Sequence, residues 1–178
     1  VVMDIHTGEI LSIVSTPSYD PNDFNNGISQ KKWDALRGDI RKPLMNKAVS
    51  GQYSPGSTFK MVVALAALEE GIITADDTKA CYYRYKIGNR VAHCWNKNGH
   101  GKINVIQALA QSCDIYFYDL ALEVGIEKIH AMADKFGLGK RYNIGIMSEA
   151  RGINPNNDWK LGAMGDSWRG GDTINVGI

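Results

Sequence analysis

The feature that most constrains this chain is one apolar helix and the polar residues at its start. Residues 61–68 read Met-Val-Val-Ala-Leu-Ala-Ala-Leu, and Gly71 supplies a stop signal soon after them. Pro55 and Gly56 break the chain before the run, so Ser57 lies in the first helical turn and Lys60 one turn later. Because residues three apart on a helix share a face, we expect the lysine amine to reach the serine hydroxyl.

A lysine at this position can turn the serine into a nucleophile. Free serine is weakly nucleophilic, and a lysine amine takes up a proton only when it is neutral. Burial beside the apolar helix and the positive end of the helix dipole both disfavour the ammonium, and the dipole also favours an oxyanion on the serine. The pattern therefore predicts Ser57 as a nucleophile and Lys60 as its base.

Helix capping is the alternative role for such a serine. A Ser-x-x-Lys spacing arises by chance in a chain of this length, and a second example, Ser29 with Lys32, is present. That example leads into a mostly charged segment that stops at Gly38, and we interpret Ser29 as a helix cap. Spacing alone leaves the same role open for Ser57.

A second polar motif favours catalysis. The sequence predicts one helix from Ile103 to Gln111 and another from Ile115 to Gly125, with Ser112, Cys113 and Asp114 in the short loop between them. Ser112 or Asp114 could cap the second helix, and capping is compatible with a catalytic role.

The two motifs together resemble those of the penicillin-recognising acyl-transferases, which carry Ser-x-x-Lys, then Ser-x-Asn, then Lys-Thr-Gly. Residues 55–60 read Pro-Gly-Ser-Thr-Phe-Lys, and residues 112–118 read Ser-Cys-Asp-Ile-Tyr-Phe-Tyr. Residues 4–22 and 171–178 extend the resemblance to the transpeptidase domain of class B penicillin-binding proteins over nearly the whole chain. The aspartate, the Tyr-Phe-Tyr and the Gly-His-Gly at 99–101 resemble the class B branch that acts in Gram-negative cell elongation.

The resemblance implies that residues 1–178 are the N-terminal and central part of one transpeptidase domain. Its fold would be of the α/β (α+β) class, similar to serine β-lactamases, with an antiparallel sheet flanked by helices. The sequence has no Lys-Thr-Gly after the second motif, so we expect this third motif and the C-terminal strands beyond Ile178. The chain alone would then be a poor enzyme. A membrane anchor and a pedestal domain are expected before Val1, which would place the protein at the periplasmic face of the inner membrane.

The activity that the resemblance implies is peptidoglycan D,D-transpeptidation. Ser57 would attack the carbonyl of the penultimate D-alanine of a stem peptide, and an amine of a neighbouring stem would resolve the acyl-enzyme. Lys60 would act as the base, Ser112 would relay a proton toward the departing nitrogen, and Asp114 would orient the set. β-Lactams would acylate the same serine. The implied partners are the cell-elongation machinery, including a glycosyltransferase.

Asp114 departs from the wider family, which has asparagine at that place. A carboxylate near Lys60 would stabilise the ammonium and oppose the base role, so either Asp114 points away or the pair shares a proton. Two alternative functions also stay open. One is a serine hydrolase of the same superfamily, a D,D-carboxypeptidase or a β-lactamase, and the other is a non-catalytic interaction module held by zinc.

The cysteines carry a separate signal. Cys81, Cys94, Cys113 and His100 together could hold a structural zinc ion, which prefers a closed tetrahedron of such ligands. The closely spaced cysteine pair of common zinc motifs is missing, so a disulfide between Cys81 and Cys94 with Cys113 as a free thiol is an alternative, as are three unconnected cysteines. His93 is a possible substitute ligand. No cofactor is expected for catalysis.

Composition excludes other classes of function. The chain is 44% hydrophobic and 22% charged with a formal net charge of +1, so it has neither a disordered nor a nucleic-acid-binding signature. No run reaches the ~18 apolar residues that a membrane-spanning helix needs.

The remaining segments give a coarse structural prediction. Alternating residues over 1–15, with a turn at His-Thr-Gly, predict a hairpin. The stretch 74–101 shows little periodicity, with turn signals at Gly-Asn and Asn-Gly, and the segment 140–170 is rich in loop residues. Helices are expected to end at Phe136, and the aromatic residues 116–118 are expected in the core.

Overall fold

The computed structural model describes residues 1–178, which divide into two compact units. The first unit comprises Val1–Tyr53 and Lys140–Gly152, and the second comprises Ser54–Gly139 and Ile153–Ile178. Both polar motifs and all three cysteines lie in the second unit.

The first unit opens with the predicted hairpin. Strand β1 (Val2–Met3) pairs with β2 (Ile10–Ser12) in antiparallel orientation. The turn between them is held by Asp4, whose Oδ1 accepts hydrogen bonds from the amides of His6 (2.7 Å) and Thr7 (3.0 Å). These hydrogen bonds, that from Thr7 first, lower the pKa of the Asp4 carboxyl.

The second Ser-x-x-Lys spacing, Ser29 with Lys32, forms the helix cap that was predicted for it. Ser29 is the N-cap of helix α1 (Gln30–Gly38), and its Oγ accepts a hydrogen bond from the amide of Lys32 at 3.4 Å. Its hydroxyl therefore serves the backbone of the helix. A short helix, α2 (Lys47–Ser50), completes the helical content of this unit apart from a 3₁₀ turn at Pro21–Phe24.

The second unit is built around the apolar helix. A 3₁₀ turn at Gly56–Phe59 leads directly into α3 (Lys60–Glu69), which packs against α5 (Asp114–Val124) and α6 (Ile126–Lys135). The remaining helices are α4 (Val105–Ala110), α7 (Asn157–Met164) and α8 (Gly170–Val176). Fully buried side chains of this core include Val63, Ala66, Ala67, Phe117, Leu120 and Ile129. The aromatic residues 116–118 are buried, as predicted.

The stretch predicted to be irregular forms strands. Its strands are β3 (Thr78–Cys81), β4 (Arg84–Ile87), β5 (Arg90–His93) and β6 (Gly101–Asn104). Strand β3 pairs with β6 and β4 with β5, both antiparallel. Each strand has four residues, too few for a periodicity that the sequence could reveal. With β1 and β2 they make three two-stranded sheets, so the fold is of the predicted mixed α/β class.

One helix prediction was wrong at its start, and the tail that was predicted to be rich in loops contains a helix. The segment from Ile103 begins as strand β6, and α4 begins only after Asn104, which forms a reciprocal capping box with Gln107. The tail contains α7, whose N-cap Asn156 accepts a hydrogen bond from the amide of Trp159 at 2.9 Å. In both places a side-chain cap sets the helix start.

None of the helices combines the length and the apolar character that crossing a bilayer requires.

Candidate active site

Ser57 lies in the 3₁₀ turn that precedes α3, one turn from Lys60. The amide of Lys60 donates to the carbonyl of Ser57, and no helix amide donates to the Ser57 hydroxyl, which does not act as a cap. Thr58 instead bonds the turn, with its Oγ1 donating to the carbonyl of Pro55 at 2.7 Å. The Ser57 hydroxyl therefore stays available for other partners.

Ser112 directly follows Gln111, the C-cap residue of α4. The amide of Ser112 donates to the carbonyl of Leu109 at 3.1 Å, and the amide of Cys113 donates to that of Ala108 at 2.9 Å. These two bonds define a Schellman motif, in which the residue with positive φ is usually glycine. Ser112 has φ +50°, a conformation that costs a non-glycine residue about 1 kcal/mol. The strained position carries a hydroxyl that glycine would not supply.

The alternative that Ser112 or Asp114 caps α5 is excluded. The N-cap is Cys113, and its side chain makes no capping hydrogen bond. Asp114 is the first residue of α5. Both polar side chains of the loop are therefore free to face α3.

Lys60 contacts both polar residues of the second motif. Its side chain is 1% exposed, and Nζ lies 3.1 Å from the Ser112 carbonyl oxygen, 3.1 Å from Ser112 Oγ and 2.7 Å from Asp114 Oδ1. Ser112 Oγ lies 2.9 Å from Ser57 Oγ. The structure has no hydrogen bond between Lys60 and Ser57 themselves, so the expected direct reach is replaced by a path through the Ser112 hydroxyl.

The three partners of Lys60 differ in what they can donate. A carbonyl and a carboxylate only accept hydrogen bonds, whereas a hydroxyl both donates and accepts. The ammonium of Lys60 can donate to all three partners. In the neutral amine, two N–H groups satisfy the two fixed acceptors, and the lone pair then faces the hydroxyl of Ser112. The same geometry therefore supports a proton path from Ser57 through Ser112 to Lys60, and the reverse path.

Asp114 faces Lys60 with one oxygen and the cysteine-rich loop with the other. Oδ1 pairs with Lys60, and Oδ2 accepts a hydrogen bond from the amide of Trp95 at 3.0 Å. Of the two arrangements expected from the sequence, the one in which Asp114 points away is excluded. The carboxylate can accept a hydrogen bond from Nζ in either protonation state of the lysine, so it fixes the position of the amine.

Trp95 is a contact of this site that the sequence did not reveal. Its indole Nε1 donates to the carbonyls of Gln111 (3.0 Å) and Ser112 (3.1 Å), and its ring lies edge-on to that of His100 at 5.5 Å between centroids. Its one sequence signal is its position directly after Cys94.

The predicted zinc ligands converge beside the second motif. The ligand atoms of Cys81, Cys94, His100 and Cys113 all lie within 4.8 Å of one another. His100 Nδ1 is 3.5 Å from the Sγ of Cys81 and 3.5 Å from that of Cys94. With Zn–S near 2.3 Å and Zn–N near 2.0 Å, the edges of a tetrahedron are roughly 3.5 to 3.8 Å, so the donor set fits a zinc ion. His93 is exposed, stacks on Tyr83 and lies outside this cluster.

Further features of the cluster agree with a bound cation. All three cysteines are buried and unpaired. Burial raises the pKa of the Cys113 thiol above its usual range, so the thiolate requires a nearby positive charge. The contacts at 3.5 Å make Nδ1 the ring nitrogen of His100 that faces the sulfurs, and Nε2 is buried without a hydrogen-bond partner.

Gly99 explains the Gly-His-Gly pattern in physical terms. Its φ is +73°, and a Cβ at this position would lie 2.3 Å from the carbonyl oxygen of Cys81. That carbonyl accepts a hydrogen bond from the amide of His100 at 3.0 Å. A side chain at position 99 would therefore push His100 away from the three sulfurs.

The chain is similar to known proteins over its whole length. The family described as penicillin binding protein transpeptidase domain matches residues 1–178. The curated peptidoglycan D,D-transpeptidases MrdA of Acinetobacter baumannii and Escherichia coli K12 are 40% and 41% identical, and each alignment covers 100% of this chain. The chain spans only 27% and 28% of the lengths of these two relatives.

Two solved structures are close matches. A crystal structure of Pseudomonas aeruginosa PBP2 in complex with WCK 5153 is 39% identical with a TM-score of 0.92, over 99% of this chain and 40% of that one. Helicobacter pylori PBP2 in complex with MreC is 40% identical with a TM-score of 0.93, over 99% of this chain and 33% of that one. The chain thus belongs to the penicillin-binding protein transpeptidase domain family, in its class B group with PBP2 (MrdA).

Proposed function

We propose that this chain carries the nucleophile and the proton path of a peptidoglycan D,D-transpeptidase. The observation that carries the proposal is the continuous contact from Ser57 Oγ to Ser112 Oγ (2.9 Å) and on to Lys60 Nζ (3.1 Å). In such a path, the serine hydroxyl can lose its proton as its oxygen attacks a carbonyl.

The acylation step follows from this path. Ser57 Oγ forms a bond to the carbonyl carbon of the penultimate D-alanine of a stem peptide, while its proton passes through Ser112 to Lys60. The tetrahedral intermediate then breaks its C–N bond, and the departing amine of the last D-alanine takes a proton back from Lys60 through Ser112. An amine of a second stem peptide attacks the ester and restores the serine. A β-lactam would stop at the ester, because its leaving amine stays tethered.

Asp114 would hold Lys60 in place through both steps. Its carboxylate lies 2.7 Å from Nζ, and it can accept a hydrogen bond from the neutral amine as well as from the ammonium. Lys60 therefore keeps its position while it acts first as base and then as acid.

The remainder of the machinery is proposed to lie outside this chain. A Lys-Thr-Gly strand would supply a cation for the substrate carboxylate and part of the oxyanion hole. An N-terminal anchor would hold the protein at the periplasmic face of the inner membrane, where peptidoglycan is cross-linked. The complex of Helicobacter pylori PBP2 with MreC, and a 33% identical structure of a peptidoglycan synthase complex, support cell-elongation proteins and a glycosyltransferase as partners.

The test of the proposed function is covalent labelling of the full-length protein by a fluorescent penicillin. Ser57→Ala should abolish the label, and the labelled peptide of the unchanged protein should contain Ser57. Ser29→Ala is the matched control, because it removes the other Ser-x-x-Lys serine and costs about 1 kcal/mol of stability without touching the label. An absent label, or a label on another residue, overturns the proposal. Rapid turnover of a chromogenic cephalosporin would favour a hydrolase instead.

We propose in addition that Cys81, Cys94, His100 and Cys113 hold a structural zinc ion. The proposal rests on the 3.5 Å contacts of His100 Nδ1 and on the burial of all three sulfurs. The ion would supply the positive charge that keeps the three thiols ionised, and it would tie strands β3 and β6 to the start of α5.

Elemental analysis tests the metal site. The purified protein should contain about one zinc per chain, and Cys94→Ser should lose the metal and lower the melting temperature. A metal-free protein with a mass two protons short would show a disulfide and overturn the proposal.

Normal cell shape in a strain that carries only the Ser57→Ala variant would favour the non-catalytic interaction module.

A further inference from the structure

The carbonyl of Ser112 accepts hydrogen bonds from two side chains. One donor is Lys60 Nζ at 3.1 Å, and the other is the indole Nε1 of Trp95 at 3.1 Å. Nε1 also donates to the carbonyl of Gln111 at 3.0 Å. We propose that Trp95 is a positioning residue, which acts through Ser112 on the proton path from Ser57 to Lys60. The inference rests on the proposed function.

The backbone at Ser112 needs such support. The end of a helix leaves carbonyl groups without intrahelical donors, and these groups must be satisfied by other partners. The residue is also held at φ +50°, which a serine leaves readily when its neighbours permit. An indole N–H that bridges two consecutive carbonyls fixes the orientation of both peptide groups, and therefore the direction in which the Ser112 side chain leaves the chain.

The exposure of Trp95 argues against a role in core packing. Trp95 is 64% exposed, whereas the preceding residue, Cys94, is 3% exposed. An indole that is mostly in solvent gains little from burial, so its fixed hydrogen bonds are the larger part of its contribution. The buried neighbour fixes the backbone from which the exposed ring reaches the second motif.

The backbone of Trp95 contacts the same motif at a second point. Its amide donates to Asp114 Oδ2 at 3.0 Å, and the other oxygen of that carboxylate pairs with Lys60. One residue thus holds both polar members of the motif, the serine through its side chain and the aspartate through its main chain. A side-chain substitution removes the first contact and leaves the second.

The experiment compares two tryptophan variants of the full-length protein. Trp95→Phe removes the indole donor but keeps an aromatic ring and the amide that holds Asp114. Trp168→Phe is the matched control, because it removes an indole N–H that donates to Thr173 Oγ1 at 2.8 Å, in a part of the unit that makes no contact with the proton path. Replacement of Trp95 by benzothienylalanine, which has sulfur in place of the N–H, keeps the size of the ring.

Acylation by a slowly reacting β-lactam separates positioning from binding. We expect both changes at Trp95 to lower the first-order acylation constant about threefold to tenfold, as loss of one well-placed hydrogen bond would, and to leave the apparent dissociation constant unchanged. Trp168→Phe should leave both constants unchanged.

Three outcomes would overturn the inference. An unchanged acylation constant in the Trp95 variants would show that Ser112 needs no such support. An equal loss in the Trp95 and Trp168 variants, or a change confined to the dissociation constant, would point to a general structural effect. If the unchanged protein is not acylated at Ser57 at all, the proposed function fails instead, and with it the foundation of this inference.

Discussion

Two buried lysines of the second unit have nearly the same surroundings and differ in one partner. Lys60 is 1% exposed and bonds a carbonyl, a carboxylate and the Ser112 hydroxyl. Lys160 is 9% exposed and bonds the carbonyl of Ser167 at 3.0 Å, Asp172 at 2.8 Å and Asp166 at 3.3 Å. Every partner of Lys160 is an acceptor, so its neutral form would leave one acceptor unsatisfied and its lone pair without a donor.

The difference distinguishes a structural lysine from one that can exchange protons. The hydrogen bond with Asp172 is the main cause that raises the pKa of Lys160, and burial opposes it only in part. Lys160 is therefore a permanent cation that ties the loop before α8 to that helix. Lys60 has one partner, the Ser112 hydroxyl, that can either accept a hydrogen bond from Nζ or donate one to it. A buried Lys–Asp pair is thus not diagnostic of catalysis, whereas a hydroxyl as the third partner is informative.

The largest expected effect comes from fixing the charge of each lysine. Arginine does not lose its proton in proteins, so Lys60→Arg should lower the acylation rate by about 10⁴-fold. Lys160→Arg should leave that rate within about twofold of the unchanged protein, because its charge is already fixed in the native state. The measurement is the rate of labelling by a fluorescent penicillin. Equal losses in both variants would break the comparison.

The next effect comes from making the partners of Lys60 resemble those of Lys160. Ser112→Ala leaves only acceptors around Nζ, and it should lower acylation by about 10²-fold. Ser112→Gly should lower it equally, yet should be more stable than the alanine variant by about 1 kcal/mol, because glycine accepts φ +50° without strain. Chemical denaturation with labelling measures both quantities. A glycine variant that is no more stable than the alanine variant would contradict the strain at this position.

Neutralising each aspartate should separate a kinetic effect from a structural one. Asp114→Asn replaces the carboxylate that lies 2.7 Å from Lys60 Nζ by a neutral amide, so loss of this charge-assisted hydrogen bond should lower the acylation rate about tenfold. Asp172→Asn should lower the melting temperature and leave the acylation rate within about twofold of the unchanged protein. An unchanged acylation rate in the Asp114 variant would show that this carboxylate plays no part in positioning Lys60.

The smallest expected effect concerns Tyr85, which lies beside a third lysine, Lys79. The Tyr85 hydroxyl donates to the carboxylate that pairs with this lysine and makes no hydrogen bond with the amine. Lys79 bonds Asp119 at 2.8 Å and Glu123 at 2.6 Å, and the hydroxyl of Tyr85 donates to Asp119 at 2.9 Å rather than to the amine. Burial, then the hydrogen bond to Asp119, raises the pKa of Tyr85 to about 12.

A tyrosine whose pKa is raised in the folded state contributes stability that is complete below its unfolded value near 10. That contribution is lost as the pH rises through about 12. When the pH is raised from about 10 to about 12, the free energy of unfolding of the Tyr85→Phe variant should therefore fall less than that of the unchanged protein. Urea unfolding at each pH measures both. Tyr82→Phe, at a residue that is 70% exposed, is the control and should lose as much as the unchanged protein.

The sequence predicted the composition of the site better than its connections. Ser57 and Lys60 could be placed because an apolar run with a break before it fixes a helix and its first turn. The convergence of Cys81, Cys94, His100 and Cys113 was also anticipated, since few residue types hold zinc. The first signal is local in sequence and the second is specific in chemistry, so both can be recognised before a structure is known.

The contacts between distant segments could not be predicted. The donor that Trp95 supplies to Ser112 depends on the pairing of β3 with β6, and four-residue strands give no periodic signal. The intermediate position of Ser112 between Ser57 and Lys60 depends on a helix C-terminus with positive φ, and that conformation normally marks glycine. Each missed feature is a tertiary arrangement of residues whose local signal indicates something else.

The solvent-facing indole beside the second motif has a practical consequence. The chain has four tryptophans, and Trp95 is the one whose N–H bonds the carbonyl of Ser112. Light emission from such a ring responds to small changes in its surroundings. With phenylalanine at the other three positions of this chain, Trp95 would be the chain's one intrinsic fluorophore, two hydrogen-bonded contacts from Ser57 Oγ by way of Ser112, and its emission would report drug binding in real time without an added dye.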